Sequence, residues 1–141
     1  MQIGVDTEKA LDNRRVFVVH DDEIISAALQ FMLHDEVETH ELGSLDAAYA
    51  KGAEWKPSVL LLGVGIVKDK GVDVLDEVCT RLDGVKIIIV ADTADDPLAR
   101  ECLQKGAKSI LAKPLTIENT RRKVDTMLGR RVALGIPVVT M

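Results

Sequence analysis

Four places in this sequence hold groups able to do chemistry. His20-Asp21-Asp22-Glu23 sets an imidazole beside three carboxylates. Such a cluster can titrate near neutral pH, or hold a cation through His20 and Asp21 together. It can equally contain an imidazole that is simply hydrogen-bonded at the rim of a domain. Gly63-Val64-Gly65 ends an apolar run, and two glycines there can let a phosphate-bearing ligand approach the backbone. Asp69 is an isolated carboxylate; it can accept a phosphoryl group only if held in line with the donor. Lys113 precedes Pro114, and an ammonium drawn out of water needs an anion. His34 and His40 have no partners at metal-ligand spacing and read as surface residues. No nucleophile stands with a base and no metal set is complete, so no enzyme is expected.

The elements that must position these groups follow from hydrophobic periodicity. Arg15 to Val19 is a short apolar strand, and His20 to Glu23 opens a helix whose dipole suits acidic residues in its first turn. Ile25, Leu29 and Met32, flanked by Ile24, Ala28 and Phe31, supply its apolar stripe. A strand over residues 37–41 is followed by a helix capped by Ser44 that runs to about Lys51. Pro57 opens a buried strand, Val59 to Leu62, which leads through Gly63 into a polar loop, Lys68 to Gly71. Val74, Leu75, Val78 and Leu82 line the next helix, and Lys86 to Val90 form a strand apolar on both faces. Asp95-Asp96-Pro97 starts a helix ended by Gly106, with Leu98, Cys102 and Leu103 inward. Ser109 to Ala112 is the last strand, and Ile117, Val124, Met127 and Leu128 mark a fifth helix. Five strands alternating with five helices predict an α/β fold with a parallel sheet covered on both faces. The commonest such solution is the flavodoxin-like order 2-1-3-4-5, with its crevice at the carboxyl ends of the strands. That rim would carry His20, Asp21, Asp22, Gly63, Val90 and Lys113.

Composition fits one domain of 141 residues, with 47% hydrophobic and 29% charged side chains. The longest apolar run, Val59 to Val67, falls far short of the roughly 20 residues a membrane helix needs. The first residues lack the basic-then-apolar pattern of a secretory signal, so a cytoplasmic location is expected. Cys79 and Cys102 read as small buried hydrophobes in a reducing compartment. Residues 98–141 carry nine basic and three acidic side chains, against nine and twenty in residues 1–97. This asymmetry suits either a solvated helix surface or a basic face for an acidic partner.

Residues 14–128 closely resemble the receiver domain of bacterial two-component response regulators. The resemblance rests on Val18-Val19-His20-Asp21-Asp22-Glu23, Lys56 to Leu62, Gly71, Gly106-Ala107 and Leu111-Ala112-Lys113-Pro114. It implies a cis Lys113–Pro114 bond. It also implies that the acidic pair that helps hold Mg²⁺ matches His20 and Asp21, and that the phosphate-accepting aspartate matches Gly63. The hydroxyl residue that grips the phosphoryl group matches Val90, and the aromatic residue that reports phosphorylation matches Ile110. Of the functional set, Asp21 and Lys113 remain in register.

The implied chemistry fails at each step. Asp21, a backbone carbonyl near Gly65 and Asp22 make a poor octahedral site, so Mg²⁺ binding is expected to be weak or absent and no other cofactor is implied. Gly63 offers no nucleophilic oxygen. The chain therefore reads as a pseudo-receiver that acts by protein–protein contact. Its expected surface is that of the fourth helix, fifth strand and fifth helix, with Arg100, Lys105, Lys108, Ile110, Arg121, Arg122 and Val124. The expected partner is another signalling protein, and the basic character of the face suits one with an acidic surface. Two alternatives are a small-molecule sensor using the room around Gly63, Gly65, Val90 and Lys113, and a receiver phosphorylated at a displaced carboxylate such as Asp69. Lys113, deprived of its usual anion, is expected to meet Asp21. Residues 1–13 read as an extension and 129–141 as a tail. The tail is too short for a DNA-binding domain, so no direct nucleic-acid contact is expected. Its apolar, β-branched content suits a sheet edge, the domain surface or a second subunit. A homodimer would use that tail or the fourth and fifth helix face.

Overall fold

A computed structural model describes residues 14–129. Five strands, β1 (Arg15–Val19), β2 (Glu38–Leu42), β3 (Val59–Gly63), β4 (Lys86–Ala91) and β5 (Ser109–Ala112), form one sheet of order β2-β1-β3-β4-β5. Every neighbouring pair is parallel. The helices among the described residues are α1 (Glu23–Leu33), α2 (Leu45–Gly52), α3 (Val64–Lys70), α4 (Val74–Arg81), α5 (Pro97–Gln104) and α6 (Ile117–Leu128). The expected topology is the observed one.

The period-two alternation of the strands divides the core into two layers. Phe17, Val19, Leu60, Leu62, Ile87 and Ile89 pack with α2, α3, α4 and α5. Val16, Val18, Leu61, Ile88, Val90 and Leu111 pack with α1 and α6. Because both faces are covered, β3 is buried at every residue. Helix starts follow the polar caps: Ser44 Oγ accepts from Ala47 N at 3.1 Å, Asp96 Oδ1 from Ala99 N at 3.0 Å, and Thr116 Oγ1 from Asn119 N at 3.1 Å. Gly129, at φ 83°, ends α6 in the left-handed region.

Several local expectations need correction. The polar loop after Gly63 is instead helix α3; winding the chain there buries Val67 and packs Val64 and Ile66 on the core. Asp69 therefore lies on a helix. Strand β2 starts one residue late, because Val37 N still donates to Leu33 O as the chain leaves α1. In α1, Ser26, Leu29 and Leu33 are the buried residues, while Ile24 and Phe31 face outward. Ile117 is likewise exposed, and Cys79 is exposed where burial was expected. Among the described residues no helix is long and apolar enough to cross a membrane. The expected extension and nearly all of the tail lie outside the described residues.

Candidate functional site

The carboxyl ends of β1, β3, β4 and β5 meet at one rim. His20 follows β1, Gly63 closes β3 opposite Val90 of β4, and Lys113 follows β5 with its amide donating to Ala91 O at 3.2 Å. The Lys113–Pro114 bond is cis, as the resemblance implied. His20, Asp21, Asp22, Val90 and Lys113 line one cleft of about 280 Å³, together with Val64, Gly65, Ala91 and Asp92. Gly63 is buried and is not part of the cleft lining.

The space over Gly63 is occupied. A Cβ at this residue would lie 2.7 Å from His20 Cδ2, 2.9 Å from Cγ and 3.1 Å from Nε2. The imidazole thus rests on bare backbone at the position where the resemblance implies an acceptor side chain. The residue expected to leave room for a ligand instead makes room for a neighbour. Gly65 plays the same part for Asp21: a Cβ there would run into the carboxylate, 2.8 Å from its Cγ. Both glycines give room for close packing, Gly63 for His20 and Gly65 for Asp21.

His20 is held firmly, its side chain only 11% exposed. Its Nδ1 accepts a hydrogen bond from Asp22 N at 2.9 Å and lies 3.2 Å from Asp21 Oδ1. These contacts ask for opposite protonation states. The Asp22 amide needs a lone pair on Nδ1, whereas Asp21 favours the charged ring. Burial decides the contest and holds the His20 pKa below its ordinary value, against the upward pull of Asp21 and Asp22. The neutral ring therefore carries its proton on Nε2.

The lysine meets a different acid from the one expected. Lys113 Nζ lies 3.0 Å from Asp92 Oδ1, and it makes no ion pair with Asp21 or Asp22. Strand order is the reason. Asp92 follows β4, which is paired with β5, whereas β1 lies three strand spacings from β5, about 14 Å. Asp92 is absent from the expected rim, and the signal for it in the sequence is its place one residue beyond β4, beside the end of β5.

The donor set fits Mg²⁺ poorly. Asp22 Oδ1 already caps α1, accepting from Ile24 N at 2.9 Å and Ile25 N at 3.4 Å. Gly63 adds no side-chain oxygen, and a neutral imidazole stands where the resemblance implies a second carboxylate. Among the described residues no three His, Cys, Asp or Glu side chains could hold a metal together.

The expected partner face is only partly assembled. Arg100, Lys105 and Lys108 are exposed on or after α5, and Ile110 is half-buried against the core. Arg121 is turned toward α1 instead: its Nε donates to Met32 O at 2.8 Å, and Nη1 lies 3.5 Å from Glu36. Arg122 is exposed and bonds within its own helix to Glu118 at 3.0 Å and Asn119 at 3.1 Å. Val124 is buried at 1% exposure, so it offers no surface.

Comparison with known proteins agrees with this architecture. The model of the response regulator receiver domain matches residues 16–125. The transcriptional regulatory protein LnrK of Bacillus subtilis (strain 168) is 23% identical over 118 residues, covering 80% of this chain. The chain spans about half (53%) of that protein's length. A response regulator from Thermotoga maritima superimposes with a TM-score of 0.73 at 15% identity, over 82% of this chain and 98% of the other. A receiver domain protein from Clostridium thermocellum gives 0.70 at 21% identity, over 86% and 98%.

Proposed function

Because this chain belongs to the response regulator receiver domain family of two-component signalling, we propose that it is a receiver that signals by protein contact, without a phosphoryl group at the end of β3. One observation carries this reading: the His20 imidazole fills the volume over Gly63 that an acceptor side chain would need. Phosphoryl transfer requires an oxygen nucleophile in line with the donor. Here that position holds backbone covered by a ring. The same crowding, with Asp22 engaged as a cap, makes Mg²⁺ binding weak or absent. The domain acts in the cytoplasm, with its partners in the signalling pathway.

The test is to incubate the protein with acetyl phosphate, or with beryllofluoride, in the presence of Mg²⁺. Intact mass and amide spectra should be unchanged. A stoichiometric acyl phosphate on Asp69, Asp21 or any other carboxylate would reject the proposal.

The partner surface proposed is the exposed basic part of α5, the turn into β5, and the outer side of α6, through Arg100, Lys105, Lys108 and Arg122. Its charge suits an acidic signalling protein. Reversal of Arg100 and Lys105 together should abolish capture of the cognate partner while leaving the circular dichroism spectrum intact. Capture at the original strength would move the interface elsewhere.

A ligand-sensing role is the second reading, drawing on the cleft beside Lys113. At about 280 Å³, that cleft lies just under the ~300–1,000 Å³ of typical ligand sites. A compound that raises the melting temperature, with the rise lost in Lys113→Ala, would favour it.

A further inference from the structure

A second cleft opens beside the rim, between α1 and the end of β2. Its volume is about 500 Å³, within the ~300–1,000 Å³ of typical ligand sites. Sheet order sets it apart from the cleft at Lys113: it lies at the ends of β2 and β1, whereas the other lies at the ends of β1, β4 and β5. His20 and Asp21 border both. Three carboxylates, Asp21, Glu23 and Glu41, line the second cleft, and no lysine or arginine does. Glu23 and Glu41 make no ion pair or side-chain hydrogen bond among the described residues. Acids alone would amount to a solvated edge, but Ser26 adds a group that wants a partner. It is 6% exposed. Its amide donates to Asp22 O at 3.0 Å and its carbonyl lies inside α1, so the hydroxyl is the polar group left over. Other helix hydroxyls bond back one turn, Thr80 to Asp76 O and Thr126 to Arg122 O, both at 2.9 Å. Ser26 makes no such bond. Unlike the hydroxyls of Tyr49 and Thr120, which are shut in without partners, it opens on the cleft.

The spacing of the acids selects the ligand. Val18 stands opposite Glu41, so Asp21 lies three residues further along the chain, about 10 Å at the rise of a strand. The carboxylates are spread along the cleft, and among the described residues no three acids could hold a metal together. Ala27 and Leu42 set apolar surface among them. Gly43 leaves the mouth open, with nothing within 4 Å of an added Cβ. The first amides of α1 are already taken by Asp22 Oδ1, so the helix end does little to offset the acids. We propose that this cleft binds a linear aliphatic polyamine. Its ammonium groups meet Asp21, Glu23 and Glu41, its methylenes lie on Ala27 and Leu42, and one N–H donates to Ser26 Oγ. Cations joined by methylenes match acids separated by apolar surface, whereas a metal ion concentrates the charge that this cleft spreads out. The assignment holds whether or not β3 accepts a phosphoryl group.

The test titrates spermidine into the isotope-labelled full chain at constant ionic strength. Amide signals of Ser26, Ala27, Leu42 and Gly43 should shift together and saturate with one-to-one stoichiometry. Glu23→Gln with Glu41→Gln should weaken binding about tenfold, and Ser26→Ala about threefold. Ala27→Leu, which narrows the cleft from an exposed position, should weaken it as well. Glu54→Gln with Asp69→Asn removes the same charge from exposed positions elsewhere and should leave the affinity within about twofold. The absence of a saturable shift overturns the proposal. So does equal weakening by the two double variants, which would reduce the effect to general charge attraction. Shifts of the same amides by Mg²⁺ at equal or lower concentration would also overturn it, since the cleft would then take a metal.

Discussion

Gly63→Ala gives the sharpest test of the imidazole's place at the rim. Gly63 has φ −66° and ψ 137°, a region open to every residue, so the backbone itself tolerates alanine. Where the conformation is compatible, replacing glycine stabilises by about 0.4–1 kcal/mol through the unfolded chain. Here the added methyl would stand 2.7 Å from His20 Cδ2. Ordinary carbon contacts are about 3.5–4.0 Å, so the ring must retreat by about 1 Å. It cannot do so freely, because its Nδ1 is fixed by the Asp22 amide and its side chain is 11% exposed. Overpacking of this kind costs about 1–3 kcal/mol. The net loss in the native protein should be about 1 kcal/mol, a fall of about 3–5 °C in melting temperature for a domain of this size.

Repeating the substitution in a His20→Ala background removes the obstacle. Gly63→Ala should then be neutral or stabilising. Urea denaturation of the four proteins closes a double-mutant cycle, with an expected coupling of about 1 kcal/mol or more between positions 20 and 63. If Gly63→Ala stabilises both backgrounds equally, the imidazole does not rest on residue 63, and the proposed reason for silence toward phosphoryl donors falls with it.

Other outcomes follow from the same structure. The folded-state pKa of His20 is lowered, so between that value and about 6.5 the unfolded chain binds the extra proton and stability falls as pH drops; His20→Asn should flatten this part of a denaturation-versus-pH profile. Glu38, lowered chiefly by its His40 hydrogen bond with Arg15 also contributing, loses its contribution in a separate window, as pH falls below 4.5. Arg121→Ala should destabilise by about 1 kcal/mol, since its guanidinium holds Met32 O and Glu36, whereas Arg122→Ala should change the denaturation midpoint little. Asp92→Asn should cost under about 1 kcal/mol in thermal unfolding, because the Lys113 pair is 40% and 82% exposed and screened by solvent.

Much of the fold was legible because it rests on short-range rules. Ser44, Asp96 and Thr116 act on amides three residues ahead, and the strands alternate every two residues, so each segment announces itself. Helix α3 escaped because Gly63, Gly65 and Gly71 read as breakers. Only the finished core shows that Val67 has an interior to enter and that Gly65 yields space to Asp21. Ile24 and Phe31 flank the expected apolar stripe yet face outward, because an apolar residue in a helix carries no mark of which side meets the sheet.

The bare sequence determined that β3 ends without a nucleophilic oxygen, and that the rim of a five-stranded parallel sheet gathers His20, Asp21, Val90 and Lys113. Those conclusions need only residue identity, period and chain order. The assembled structure alone decided that His20 fills the place over Gly63, that Lys113 pairs with Asp92, and that Arg121 braces α1. Such contacts depend on which strands lie side by side and how each helix is rotated on the sheet. Both are set by packing the whole chain at once, and no local run of residues encodes them.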